Sequence, residues 1–309
     1  MTSISQKKVK RKHKTGQIVF ATVMLAIPVL QYLIFYIGVN FNSILMAFRT
    51  YERTNQGWVS EFAGFSNFSI VFEDIFGKDS VELKAAFGNS FKLCFYNLFL
   101  KTPIALWFSY YICKKLVLHR TYRTILFLPN IISSVTMAIM FMNFVDGGLL
   151  QYTGSGLIHE QNRPILIFYW IWSNLGTMVL VYSNAMGKVD MSIVESARLD
   201  GAGPAREFIS IYLPIIFPSI VTFIVSSLSA MFIDQMNLFS FYTNSAYTEH
   251  VTVGYYLYRE TQSATIGGEL DKTVFPVLSA FGLLLTFICA PITLGIRSLL
   301  MKVGGEEKK

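Results

Sequence analysis

Six apolar stretches, each about as long as a bilayer is thick, constrain this chain more than any other feature. A hydrocarbon core of about 30 Å takes roughly 20 residues of helix to cross. Segments 17–39, 88–112, 124–145, 164–184, 215–238 and 274–296 meet that length. Of the 309 residues, 53% are hydrophobic and only 15% charged, a balance that excludes a soluble domain of this size. The expected fold is therefore an all-α membrane protein with six transmembrane helices. The first segment is too long for a removable signal peptide and lacks a small-residue cleavage site, so it reads as a retained anchor.

Lysine and arginine set the orientation. The tail before the first span carries Lys7, Lys8, Lys10, Arg11, Lys12 and Lys14. Lys114, Lys115, Arg120 and Arg123 follow the second span, Lys188, Arg198 and Arg206 follow the fourth, and Arg297, Lys302, Lys308 and Lys309 end the chain. These are 17 of the 26 basic residues, all on one face, which places both termini in the cytoplasm. The division that follows is a basic cytoplasmic tail (1–16), a first transmembrane helix (17–39), an extracellular segment (40–86), a transmembrane domain (87–298) and a cytoplasmic tail (299–309). The net charge of +7 is thus a topology signal that also grips lipid headgroups, rather than a nucleic-acid surface. Cys94, Cys113 and Cys289 lie in or beside apolar spans with no metal-type spacing, and read as small hydrophobic filler. Gly267-Gly268 looks like an ordinary loop, and the end from Gly304 like a disordered one.

Between the fourth and fifth spans lies a polar insert. Ser192 and Glu195 have capping-box spacing, so a helix is expected to start near Ile193. Gly201 suits the left-handed residue that ends it. Pro204 suits the first turn of a second helix, and Pro214 is expected to stop that helix. Helices of about eight residues are marginal in water. The apolar residues Ile193, Val194, Ala197, Leu199, Phe208 and Ile209 must therefore fold back on the membrane helices or fill a groove on a partner.

The order Glu195, Ala197, Gly201, then Ile211, Leu213 and Pro214, resembles the signature loop of the membrane subunits of binding-protein-dependent ABC importers. Ser196 stands where an alanine is usual. Asp200-Gly201-Ala202 is most similar to the sugar-transporting branch, the maltose and glycerol-phosphate type with a MetI-like fold. Phe65-Ser-Asn-Phe68, Asn89-Ser90, Phe127-Leu-Pro-Asn-Ile-Ile-Ser133, Phe232-Ile-Asp234 and Tyr256-Leu-Tyr-Arg259 extend the likeness over about residues 15–300. Ser133-Ser134 and Phe239–Asn244 depart from it. The resemblance implies that the insert is a coupling helix seated in a cytoplasmic ATPase, with Glu195 as anchor and Gly201 allowing close approach. It also implies a second, homologous permease, an ABC ATPase dimer that binds the ATP and Mg, and an extracellular sugar-binding protein meeting residues 50–86 and 239–273.

No P-loop, zinc-protease helix or nucleophile elbow is present in the sequence, so no catalytic group, metal site or cofactor of its own is expected. A solute path needs polar groups facing the bundle interior. The fourth span offers Trp170, Ser173, Asn174 and Thr177 on one helical face, and the fifth offers Ser226, Ser227, Ala230, Met231, Asp234 and Gln235 at the same spacing. An aromatic ring beside amides and a carboxylate suits a sugar, whose C–H face packs on the ring while its hydroxyls hydrogen-bond. The substrate-binding candidates are Trp170, Ser173, Asn174, Thr177, Ser227, Met231, Asp234 and Gln235. Lys101, inside the second span, is expected to snorkel toward the cytoplasmic interface.

The reading is a permease subunit of a bacterial ATP-driven importer that carries a di- or oligosaccharide across the cytoplasmic membrane. Glycerol-phosphate or another small polar solute is the alternative within the class. Outside it, a secondary transporter would predict inverted repeats, and an intramembrane enzyme would need a catalytic constellation; neither is seen.

Overall fold

The computed structural model describes residues 2–303 except 56, 78–79, 149–153, 155 and 266–270, and describes no side chain before Gly16. The basic side chains Lys7 to Lys14, Lys308 and Lys309, the Gly267-Gly268 pair and the end from Gly304 lie outside the described residues.

Lipid supplies no hydrogen bonds, so apolar segments satisfy their backbone internally as helix. Among the described residues, four helices are long and apolar enough to cross a membrane: Gly16–Met46, Arg163–Met186, Pro204–Ser229 and Val274–Lys302. A bent pair, His119–Asn130 and Ser134–Gly148, whose axes differ by 109°, meets the same length and composition only when its two halves are taken together. The span expected at 124–145 falls on this bent pair rather than on a single helix. Pro129 lies in a single 3-10 turn, Leu128–Asn130, and the chain changes direction before Ser134. The expected second span, 88–112, lies within a continuous helical stretch, 81–113, long enough to cross but not among the apolar set. It carries Lys84, Lys92 and Lys101.

The chain divides into two compact units, residues 1–71 with 272–283, and 72–271 with 284–309. In the first, the helix expected over 17–39 runs on to Met46 and leads into an antiparallel hairpin, Arg49–Thr54 paired with Gly57–Phe62. The hairpin departs from an all-α fold. Asn67 Nδ2 donates to the Ala47 and Arg49 carbonyls at 2.9 and 2.8 Å, fixing the junction between helix and strand.

The second unit is built around the helix Arg163–Met186, with 102–113, His119–Phe127 and 213–229 packed on it. Tyr182, Val179, Met178, Leu175, Ala105, Ile112, Leu126, Ile216 and Ile220 form its core. Gly176 permits a close approach of the bend to this helix. A Cβ there would stand 2.6 Å from Asn130 Nδ2 and 2.9 Å from the Phe127 Cα. The bend at Pro129 thus rests directly on the 163–186 helix.

Proline placement explains another difference. Pro214 does not stop a short helix: Pro204–Ser229 is one continuous rod containing Pro214 and Pro218. Residues Phe208–Tyr212 form a π-helical turn just before Pro214. The widened turn accommodates a residue that lacks an N–H and would clash in a regular α-helix.

Candidate functional site

The insert begins at Asp190, whose carboxylate accepts from the Ser192 backbone N–H at 3.0 Å. That bond and the Ser192 hydroxyl hold the Asp190 carboxyl below its ordinary range. The cap is therefore Asp190 rather than Ser192, and the helix runs Met191–Leu199, two residues earlier than expected. Its end follows the expectation. Gly201 has φ +83°, its N–H bonds to the Arg198 carbonyl, and the Ala202 N–H bonds to the Ala197 carbonyl. These are the paired bonds of a Schellman ending.

The first of the two fates foreseen for the apolar residues is seen on one face of the helix, while the other face is left uncovered. Val194 is fully buried in the core cluster beside Tyr182, Met186, Val189 and Tyr212, and Ala197 is half-buried. Met191, Ile193 and Leu199 face outward, Leu199 with 90% of its surface exposed. Glu195, Ser196, Asp200 and Gly201 are exposed with them, while Ala202 is half-buried. Ile211 and Leu213 are half-buried and Pro214 exposed on the rod that follows.

A buried acid, Glu207, fastens this insert to the membrane helices. Its residue surface is 2% exposed. Its carboxylate contacts Lys114 Nζ through Oε1 and Arg198 Nε at 3.3 Å through Oε2. Lys114 also stands over the rings of Tyr110 and Tyr212, 5.4 and 5.0 Å from their centroids. The Tyr110 hydroxyl donates to the Pro204 carbonyl at 3.2 Å. The sequence carries a usable signal for Glu207, an acid at the edge of an apolar run in a stretch that the lysine and arginine distribution groups with Lys114, Lys115 and Arg198.

The second arrangement is a cavity of about 260 Å³ between the Pro129 bend, the middle of helix 163–186 and the segment after Ser229. Of the candidate residues, Trp170, Ser173, Asn174, Asp234 and Gln235 line it, and Asn130, Tyr169 and Asn237 join them. Trp170 and Asp234 are fixed to each other: the indole Nε1 donates to Asp234 Oδ2 at 2.8 Å, and Oδ1 accepts from the Met236 backbone at 2.8 Å. Asn174 Nδ2 donates to the Trp170 carbonyl at 2.9 Å. The Gln235 side-chain oxygen is buried with no hydrogen-bond partner.

Three candidates fall elsewhere. Thr177 does not line the cavity; it donates to Asn130 Oδ1 at 2.9 Å and so holds a residue that does. Ser227 and Met231 do not line it either. The fifth helix ends at Ser229, and Met236 and Asn237 have positive φ, so helical spacing does not continue through 231, 234 and 235. Asp234 and Gln235 reach the cavity from a run of turns. Lys101 does not snorkel: it is 6% exposed, with Nζ 4.5 Å from the centroid of the Trp170 ring. The π-helical turn Asn97–Lys101 brings it there.

Residues 102–301 match the family model described as "Binding-protein-dependent transport system inner membrane component". The chain belongs to that family. It is thus a transport permease component of the inner membrane. The sn-glycerol-3-phosphate transport system permease protein UgpA of Escherichia coli O6:K15:H31 is 26% identical over 215 residues, 66% of this chain and 71% of that protein. UgpA of Yersinia pestis bv. Antiqua is 27% identical over the same extent. In fold, this permease is similar to a chain of a bacterial ABC transporter involved in import of the acidic polysaccharide alginate, at TM-score 0.70 and 22% identity, covering 98% of this chain and all of that one. A second crystal structure, of an alginate transporter in complex with its alginate pentasaccharide-bound periplasmic protein, matches at TM-score 0.71 and 22% identity, over 97% and 98% of the two chains.

Proposed function

We propose that this chain is one permease subunit of an ATP-driven importer that moves a carbohydrate across the cytoplasmic membrane of a bacterium. In this reading the chain crosses six times, with 81–113 as the second crossing and both termini cytoplasmic, which the distribution of lysine and arginine supports. A second, homologous permease completes the pathway. A cytoplasmic ATPase dimer binds the ATP and Mg, and an extracellular solute-binding protein delivers the sugar to the outer stretches.

The observation that carries the reading is the two-faced insert. A helix whose inner face is anchored by Val194, and whose outer face presents Glu195, Ile193 and a 90% exposed Leu199, is shaped to be gripped. An aliphatic side chain so exposed loses favourable burial until a partner covers it. Glu195 is exposed at the middle of that helix, where its carboxylate can pair with arginine or backbone donors of that partner. The cavity supplies the solute end of the same machine. UgpA is named for a phosphate ester and the alginate transporter for an acidic polysaccharide, so both cargo types remain members of the class.

Glu195→Arg is expected to abolish sugar uptake while the binding protein's affinity for sugar stays unchanged. A cysteine at Leu199 is expected to crosslink to an ATPase carrying a P-loop. Normal uptake by the Glu195→Arg variant, with no such crosslink, would overturn the coupling role.

A further inference from the structure

We infer that the solute this chain receives is a neutral glycan, carrying no anionic group where it meets the cavity. The inference rests on the importer reading above and narrows its cargo. Among the described lining residues Asp234 alone is charged, and it is an acid. Its balancing cation, Lys101, is 6% exposed and stands over the Trp170 ring outside the cavity lining. The indole is held between the two, with Asp234 on its N–H and Lys101 on its face. The charges therefore offset each other without offering the cavity a positive group.

The hydrogen-bonding inventory points the same way. The polar part of the wall is made of the Asp234 carboxylate, side-chain amides and hydroxyls, so it offers both acceptors and donors. A sugar hydroxyl donates. An ionised phosphate or carboxylate oxygen only accepts, so it has nothing to give the Asp234 carboxylate. It would also enter beside the Asp234 carboxylate with no arginine or lysine to pair with. An amide and a hydroxyl, Asn174 and Ser173, complete a wall suited to polyols.

The test uses the whole transporter, with its native partner subunits and binding protein, in proteoliposomes loaded with ATP. The probes are radiolabelled neutral oligosaccharides of glucose, galactose and mannose, set against size-matched oligogalacturonates and glycerol 3-phosphate. Accumulation of neutral members, with charged ones at least tenfold lower, is the expected result. Binding of the charged members to the nucleotide-free complex is expected to rise at least tenfold in Gln235→Lys. If that variant does not assemble, discrimination by the wild type decides. Preferential accumulation of a charged member by the wild type overturns the inference and leaves the importer reading intact. No ATP-dependent accumulation of any member overturns both.

Discussion

Replacing Glu207 by glutamine should loosen the insert by a calculable amount. The Glu207 side chain is 3% exposed, that of Lys114 13% and that of Arg198 50%. Removing one partner of a fully buried ion pair costs about 3–5 kcal/mol, because the other charge is left uncompensated. The Arg198 contact, half in solvent, contributes about 0.2–1 kcal/mol. Lys114 keeps the Tyr110 and Tyr212 rings as partial compensation, worth about 0.5–1 kcal/mol each for partly exposed cation–π contacts. Taken at mid-range, these figures give a net expected loss of about 3 kcal/mol. Val194 reports it, since a cysteine at that fully buried position reacts with a thiol reagent only when the insert opens. In a background with Cys94, Cys113 and Cys289 replaced, Glu207→Gln should speed labelling by about 100-fold, at 1.4 kcal/mol per factor of ten. The Lys114→Met/Glu207→Met pair should recover most of the protection, because a well-packed apolar pair often replaces a buried ion pair at little cost. Labelling changed by less than threefold in Glu207→Gln, or a double variant as fast as the single, would refute the pinning role.

Gly201→Ala should speed the same labelling about fivefold or more: the site has open space, so the effect is the cost of holding a Cβ at φ +83°, about 1–2 kcal/mol. Gly176→Ala should lower the melting temperature of the solubilised complex and reduce uptake. Its Cβ collides with Asn130 and the Leu126 carbonyl, an overpacking cost of about 1–3 kcal/mol, and unchanged melting would contradict the packing at the bend. For His250, burial, assisted by Arg163, holds the imidazole below its ordinary value of 6.5 against the pull of Glu249. The unfolded chain then binds the proton more readily, so the stability associated with a neutral His250 is complete above about pH 6.5 and falls as pH drops below it. Melting curves between pH 7.5 and 5 should show a steeper decline for wild type than for His250→Phe; parallel curves would argue against it.

How much was legible in the sequence depended on whether the signal was local. Unbroken apolar runs placed the helices at 163–186 and from 274 within a few residues, because length and hydropathy are properties of one segment. The Gly201 ending was equally local. Hydropathy, however, counts residues and carries no direction, so it could not see a 109° bend at Pro129. Pro214 misled for the opposite reason, since the π turn that absorbs it leaves no mark in the sequence. The hairpin at Arg49–Phe62 was missed among polar residues that bury little and give no core-facing alternation. At the cavity, helical spacing correctly grouped Trp170, Ser173 and Asn174 but was carried past the end of its helix to Met231. The partnership of Lys101 with Trp170 depends on contact across 69 positions of chain, which no window can register.

The insert's attachments have a mechanical outcome. Val194 sits among side chains at the end of one membrane rod, Glu207 belongs to the start of another, and Lys114 terminates a third. A push on the exposed side of the 191–199 helix therefore meets little local give, and its displacement is shared among three shafts at once. In the coupling proposed above, a stroke delivered by the ATPase would reach the helix Arg163–Met186 through packed side chains and a buried ion pair rather than through a loop.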